Sequence, residues 1–281
     1  NRHALHIKPL SERKDKVYIE RDHVAPDTAP RPFDEKGQKL IAETVERIVA
    51  AREAGKSRML TFGAHSIKNG LAPVFIKLIE EGWVTHLATN GAGIIHDWEF
   101  AFQGHSSEDV RTNVDQGEFG MWQETGFFLN LAIVVGAYEG LGYGESVGSL
   151  VQNEGLKIPS IDALTKEIQK AADQDYAEHA AAACDFINVI KRFKLEPGFL
   201  EVKHPFKQFG IQGAAYRLGV PFTSHPMIGH DIIYVHPMNQ GASIGRTAER
   251  DFLTFADAVS ILDGGVYMSI GSAVMSPMVF E

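Results

Sequence analysis

Two histidine–aspartate pairs, His96-Asp97 and His230-Asp231, are the residues of this chain best suited to moving a proton. An imidazole titrates near neutrality, so His96 and His230 are candidate general acids or bases. A carboxylate directly behind such a histidine can hold a ligand hydroxyl or cap a helix, and both roles stay open for Asp97 and Asp231. The first pair closes the stretch Leu87-Ala88-Thr89-Asn90-Gly91-Ala92-Gly93-Ile94-Ile95. An apolar run that stops at small residues and then resumes is the pattern of a strand, a tight turn and a helix start. A helix start presents unpaired backbone N–H groups at the positive end of the macrodipole, a setting that suits an anion.

Two other turns share this composition, Gly63-Ala64-His65-Ser66 and Gly271-Ser272-Ala273. Small residues let a backbone approach a ligand closely, and Ser66 and Ser272 add hydroxyls that could meet a phosphate. With Thr89, Asn90, Gly91, Ala92 and Gly93 they make up the expected binding set for a nucleotide or sugar phosphate. The competing reading is three ordinary tight turns of a parallel sheet.

Other chemistries are less well served. His225, His230, Asp231 and His236 surround one apolar segment, but without HxH or HExxH spacing, and no metal is expected. Cys184 is the single cysteine, which excludes an intramolecular disulfide framework and a CxxC zinc module. It lies in an alanine-rich helical stretch and is expected to be a buried small residue. A Ser/His/Asp hydrolase is not expected. Trp98 and Trp122 are expected to pack in the core.

The elements that position these residues follow from hydrophobic spacing. Residues 1–33 are polar and proline-dotted and read as an arm that could dock on a neighbouring subunit. A helix is expected over 34–54, a strand over 58–62, a helix from Ile67 to a stop at Gly82, and a strand over 84–88. Strand–helix–strand–helix order with short connections indicates an α/β fold with a parallel sheet. Residues 94–102 read as a short helix, 103–119 as a polar loop, and 117–140 as largely helical; 143–158 give no clear pattern. Helices over 160–172 and 175–193 would form an insertion spanning about 104–203 of a single domain over 34–281. The parallel pattern then resumes: a helix near 206–218, strands over 220–223 and 232–236, a helix over 250–262 and a strand over 266–270.

The 281 residues are 44% hydrophobic, enough for a large core, and carry a formal charge of -9. With no basic face, a nucleic-acid partner is not expected. The longest apolar region, 126–137, is too short to span a bilayer and reads as a core or subunit-interface helix. No signal-peptide pattern opens the chain. The lone cysteine points to a cytoplasmic protein, for which a small-molecule ligand and no membrane partner are expected.

In their order, these segments resemble the deoxyhypusine synthase-like family. Gly63-Ala64-His65 followed by Asn69-Gly70-Leu71 resembles the family's Thr-Ser-Asn turn and Ser-Gly-Leu helix start. The segment TNGAGIIHD is similar to its TTAGGVEED turn. Val220-Pro221 with Gly229-His230-Asp231-Ile232-Ile233-Tyr234-Val235-His236 resembles its VP and SLGDM-aromatic-aromatic-HS stretch, and Gly271-Ser272-Ala273-Val274 its GGGVV turn. The resemblance implies a Rossmann-like three-layer sheet with helices on both faces, NAD in the strand-end crevice, and a homotetramer or dimer. Ile95 and His96 stand where the family has the acidic pair that handles polyamine amines, Pro226 stands at an aspartate position, and the family's imine-forming lysine, which lies well beyond its GGGVV turn, is not matched within the 281 residues. The expectation is therefore a divergent NAD-binding protein, an enzyme of transferase or oxidoreductase type, that does not make deoxyhypusine. A sugar-phosphate isomerase-like enzyme and a non-catalytic oligomeric binding protein are the alternatives.

Overall fold

A computed structural model describes residues 1–172 and 177–272. Its strands are β1 (Asp15–Tyr18), β2 (Arg58–Phe62), β3 (His86–Asn90), β4 (His105–Glu108), β5 (Gly155–Ile158), β6 (Gly198–Glu201), β7 (Phe222–His225) and β8 (Val266–Ile270). Its helices are α1 (Ile19–Asp22), α2 (Glu35–Glu53), α3 (Ala64–Lys68), α4 (Ala72–Glu80), α5 (Gly91–Gln103), α6 (Val110–Asp115), α7 (Gln123–Glu139), α8 (Tyr143–Asn153), α9 (Ile161–Ala172), α10 (Ala177–Phe193), α11 (Ile211–Leu218) and α12 (Gly241–Ser260).

The fold is α/β, built on a four-stranded sheet in the order β7-β3-β2-β8. Every pairing in it is parallel. Strand side chains alternate between faces. Leu60, Phe62, Leu87 and Phe222 lie on one face and are all buried, with Phe62 meeting Phe75 of α4 at 5.2 Å and Phe222 at 5.9 Å between ring centroids. Burying each such side chain contributes about 1.5–3 kcal/mol. His86 and His225 lie on the opposite face, where Phe255 of α12 packs edge-on against both.

The segments between β3 and β7 carry most of the helices and the antiparallel pair β5–β6. Helix α7 is buried along nearly its whole length within this chain, including Leu129, Leu131, Ile133 and Val135, so the 126–137 segment is a core helix. No single described helix is long and apolar enough to cross a membrane; α7 and α8 qualify only as a pair bent by 109°.

Several expectations need correction. The apolar segment 232–236 is a 3₁₀ turn over Ile232–Val235, closed by bonds from Tyr234 N–H to Asp231 O and His236 N–H to Ile233 O. The turn buries Ile233 in the core and swings Asp231 toward α5, which outweighs the strand preference of its β-branched residues. Cys184 is exposed, because α10 turns Ala183, Phe186 and Ile190 inward and residue 184 falls outside that stripe. Residues 103–119 are not a loop: β4 and α6 lie there, and β4 pairs antiparallel with β1. The N-terminal segment accordingly docks on its own chain, with Leu10 and Ile19 fully buried. The helix expected after β2 breaks into α3 and α4 at Gly70, whose φ is +75° and where a Cβ would strike Asp22 O at 2.4 Å.

Candidate functional site at the carboxyl edge of the sheet

Register brings the three glycine turns to one edge. Phe62 pairs with Thr89 on one side and Ile270 on the other, and Asn90 pairs with His225. Gly63, Gly91 and Gly271 are the next residues of their strands. The first and third turns touch: the Gly63 N–H donates to Ile270 O (3.1 Å), and a Cβ on Gly63 would lie 2.5 Å from Gly271 O. Gly271 has φ +68°, and a Cβ there would stand 2.0 Å from Ser66 Oγ. The buried Ser66 hydroxyl donates to Ile270 O at 3.1 Å, so it offers a ligand lone pairs but no proton. Ala64 and His65 open α3 with His65 exposed, and Ser272 is half-buried. Ala273 lies outside the described residues.

In the β3 turn, Asn90 is the N-cap of α5 and accepts from the Gly93 N–H at 2.9 Å. Thr89 Oγ1 donates to Phe62 O (2.7 Å), and a Cβ on Gly93 would fall 2.1 Å from that hydroxyl. Ala92 is half-buried. Over Gly91 lies the carboxylate of Asp231, 2.2 Å from where a Cβ would be. The place expected to receive a ligand's anion is thus flanked by an anion of the protein itself.

Asp231 Oδ2 is buried without a hydrogen-bond partner among the described residues, and so are the hydroxyls of Tyr143, Tyr234 and Ser224. Burial pushes the Asp231 carboxyl up to about 6, with His230 pulling the other way. Burial, then the Asp231 charge, raises Tyr143 and Tyr234, the latter to about 12. Leaving a buried polar group unpaired costs about 1–3 kcal/mol, so this cluster is a place where a ligand's hydrogen-bonding groups would be stabilising. Tyr143 is held there because Asp251 accepts from the N–H groups of Gly144 (2.9 Å) and Ser224 (2.6 Å), fastening the start of α8 to β7. Burial pushes Asp251 up to about 7.

The four candidate catalytic residues divide. Asp97 accepts from the N–H groups of Ile211 (3.0 Å) and Gln212 (3.1 Å) and from Gln212 Nε2 (2.9 Å), all buried. It caps α11, and burial pushes it up to about 6 despite those bonds. His96 is half-buried on α5, with Nδ1 2.7 Å from Ser106 Oγ. His230 is exposed in the loop before Asp231. The structure therefore groups Asp231 and His230 near the start of α5, places His96 farther along that helix, and turns Asp97 to a capping role.

The histidines around β7 do not converge. His225 Nε2 meets Thr223 Oγ1 at 3.1 Å, whereas His236 Nδ1 accepts from the Met238 N–H at 3.0 Å. Among the described residues no group of three or more His, Cys, Asp or Glu side chains could hold a metal ion. Gly144-Glu145-Ser146-Val147-Gly148 has the GxSxG spacing of a hydrolase elbow, but it lies inside α8 and the Ser146 hydroxyl donates to Gly142 O. Trp98 and Trp122 are buried, and Trp98 stacks on Phe102 at 4.7 Å. Two cavities, of about 960 and 480 Å³, include no residue of the glycine turns, and the smaller is lined in part by Phe222, Thr223 and Asp251.

Sequence reading did not single out Tyr143, Ser224, Lys68, Glu99 or Ser106. Tyr143 stands in a glycine-rich stretch without periodicity, and the others owe their setting to partners distant in sequence.

No family model and no curated protein matches this chain. Among solved structures, the apo form of ArgZ, an arginine dihydrolase from the ornithine–ammonia cycle in cyanobacteria, is similar with a TM-score of 0.40 and 14% identity, over 88% of this chain and 25% of that one. A conserved putative LOR/SDH protein from Methanococcus maripaludis S2 gives a TM-score of 0.34 and 13% identity, over 98% of this chain and 74% of that one. This chain thus spans a quarter of the length of the ArgZ structure.

Proposed function

We propose that the carboxyl edge of the sheet binds NAD or a related nucleotide, in a Rossmann-like three-layer domain of a divergent deoxyhypusine synthase-like enzyme whose substrate is not a polyamine. The observation that supports this most is the meeting of three glycine turns at one edge of a parallel sheet, where the backbones of Gly63, Gly91 and Gly271 leave no room for side chains. In open parallel sheets ligands bind outside the carboxyl ends of the strands. Phe75 of α4 on one face and Phe255 of α12 on the other support the three-layer arrangement.

Gly91 to Gly93 would face the nucleotide's phosphates, with Ser272 alongside. The unpartnered hydroxyls of Tyr143 and Tyr234 would take ligand hydroxyls such as those of a ribose. NAD, when bound, supplies hydride transfer. Asp231, with its carboxyl near 6, and His230 are the proton-handling groups at this end, and His96 is a third. The cavity of about 480 Å³ reaches Phe222, Thr223 and Asp251 but no residue of the glycine turns.

Thermal shift tests it. A ligand at 100 Kd stabilises a fold by about 2.7 kcal/mol, so NAD, NADP or ADP-ribose at saturating levels should raise the midpoint by several degrees. A response to phosphosugars alone would favour a sugar-phosphate isomerase-like enzyme instead.

A further inference from the structure

His96 belongs to a buried chain of hydrogen bonds that fixes which of its nitrogens carries the proton. Glu99 accepts from Arg13 through two bonds (2.7 and 2.6 Å) and from the Thr125 hydroxyl at 2.8 Å. Burial alone would raise Glu99, but the Arg13 charge and these bonds hold it below the usual carboxylate range, so it is ionised and can only accept. The Ser106 hydroxyl gives its one proton to Glu99. Its oxygen must then accept from His96, which puts the proton on Nδ1 and leaves the Nε2 lone pair open. Nε2 has no hydrogen-bond partner among the described residues.

Lys68 of α3 is the second observation. It is half-buried, has no ion-pair partner among the described residues, and belongs to a helix packed against α5, from which its charge acts on the ring. The charged or titratable groups facing the ring are Glu99 on its own helix, Lys68 and His65 on α3, and Arg13 from the N-terminal segment. Ser106 of β4 makes its hydrogen bond.

We infer that His96 is a proton acceptor preset by Ser106 and Glu99, and that Lys68 beside it holds an anionic group of the substrate, a carboxylate or phosphate. This deepens the function proposed above by naming the class of substrate. In the step, the Nε2 lone pair takes a proton from an O–H, N–H or activated C–H of the substrate and the bond's electron pair stays on the substrate atom. The resulting imidazolium keeps its Nδ1–H on Ser106, and no proton passes to Glu99. Ser106 and Glu99 are positioning residues. With Lys68 unneutralised, burial and the nearby positive charges hold His96 down at about 4. A bound anion cancels the Lys68 charge and makes the imidazole a stronger base.

Nitrogen-15 NMR of the histidine-labelled chain tests this without any assay of turnover. The expected signal, assigned by its loss in His96→Ala, is a neutral ring protonated at Nδ1 at pH 7. Ser106→Ala should shift it toward the Nε2–H form, and Ser106→Thr should restore Nδ1–H. Titration with acetate or inorganic phosphate should move the Nε2 resonance saturably and raise the ring's pKa, and Lys68→Gln should abolish both effects. A wild-type ring protonated at Nε2, or a tautomer indifferent to Ser106→Ala, overturns the preset acceptor. Absence of a saturable, Lys68-dependent shift overturns the anion site. Each result is independent of whether the chain binds NAD, so failure of the nucleotide reading would be seen separately.

Discussion

The carboxylate of Asp231 rests on Gly91, the first residue of α5, so close that a Cβ there would lie 2.2 Å from Oδ2. A helix start that could attract a phosphate is guarded by a negative group whose carboxyl is pushed up to about 6 by burial. Above that pH the carboxylate repels an incoming phosphate, and below it the neutral acid can donate a hydrogen bond to it.

Nucleotide affinity should therefore weaken as pH rises through 6, and Asp231→Asn should remove most of that dependence. Calorimetric titration with ADP-ribose at pH 5.5 and pH 8 checks this. The expected gain for the variant at pH 8 is about tenfold, or about 1.4 kcal/mol.

Gly271→Ala should be destabilising and should weaken nucleotide binding. The residue has φ +68°, and the new methyl would meet Ser66 Oγ at 2.0 Å. Strain at such a backbone position costs about 1–3 kcal/mol, readable by urea denaturation. Gly82→Ala, at φ +69° with open space around it, is the control: similar backbone strain without a clash and without an effect on ligand.

Arg13→Met should cost about 3–5 kcal/mol, because it leaves Glu99 charged and buried without its partner. Arg13 and Glu99 are 6% and 1% exposed and joined at 2.6 Å. Adding Glu99→Met should recover part of the loss. Since Glu99 is held below its ordinary value, its contribution is present above the unfolded pKa and is lost as pH falls through the folded one. Denaturation curves of the wild type and the single and double variants at pH 7 and pH 4 test both statements.

His204 is 1% exposed, with neither ring nitrogen well hydrogen-bonded and only a loose approach to the Val202 backbone. Burial lowers it to about 4 from an ordinary value of 6.5. Between those values the unfolded chain binds a proton that the folded one refuses, so stability falls as pH drops through this window. His204→Phe, which keeps the edge-on packing against Trp98 and Phe102, should flatten that acid limb when stability is followed from pH 7 to pH 4.

What was legible in the sequence was what hydrophobic spacing records. Strands β2 and β8 fall where expected, at 58–62 and 266–270, because each is an apolar run bounded by polar or glycine residues. The three glycine turns were recognisable because a close backbone contact excludes every other residue type. The Ile232–Val235 turn was misread because its β-branched composition is strand-like, while tertiary packing of Ile233 decides its shape. Asp97 illustrates a different limit: the helix it caps begins at Ile211, a separation no local pattern reveals. The chain from Arg13 through Glu99 and Ser106 to His96 was hidden for the same reason.

The central claim is that NAD lies across the turns at Gly63, Gly91 and Gly271. Backbone amide NMR during titration with NAD tests it most directly. The account predicts saturable shifts that are largest at Gly63, at Gly91 to Gly93 and at Gly271, and smaller in α2 and α9. Millimolar NAD that leaves those amides unmoved, or that shifts only residues away from the three turns, would contradict it.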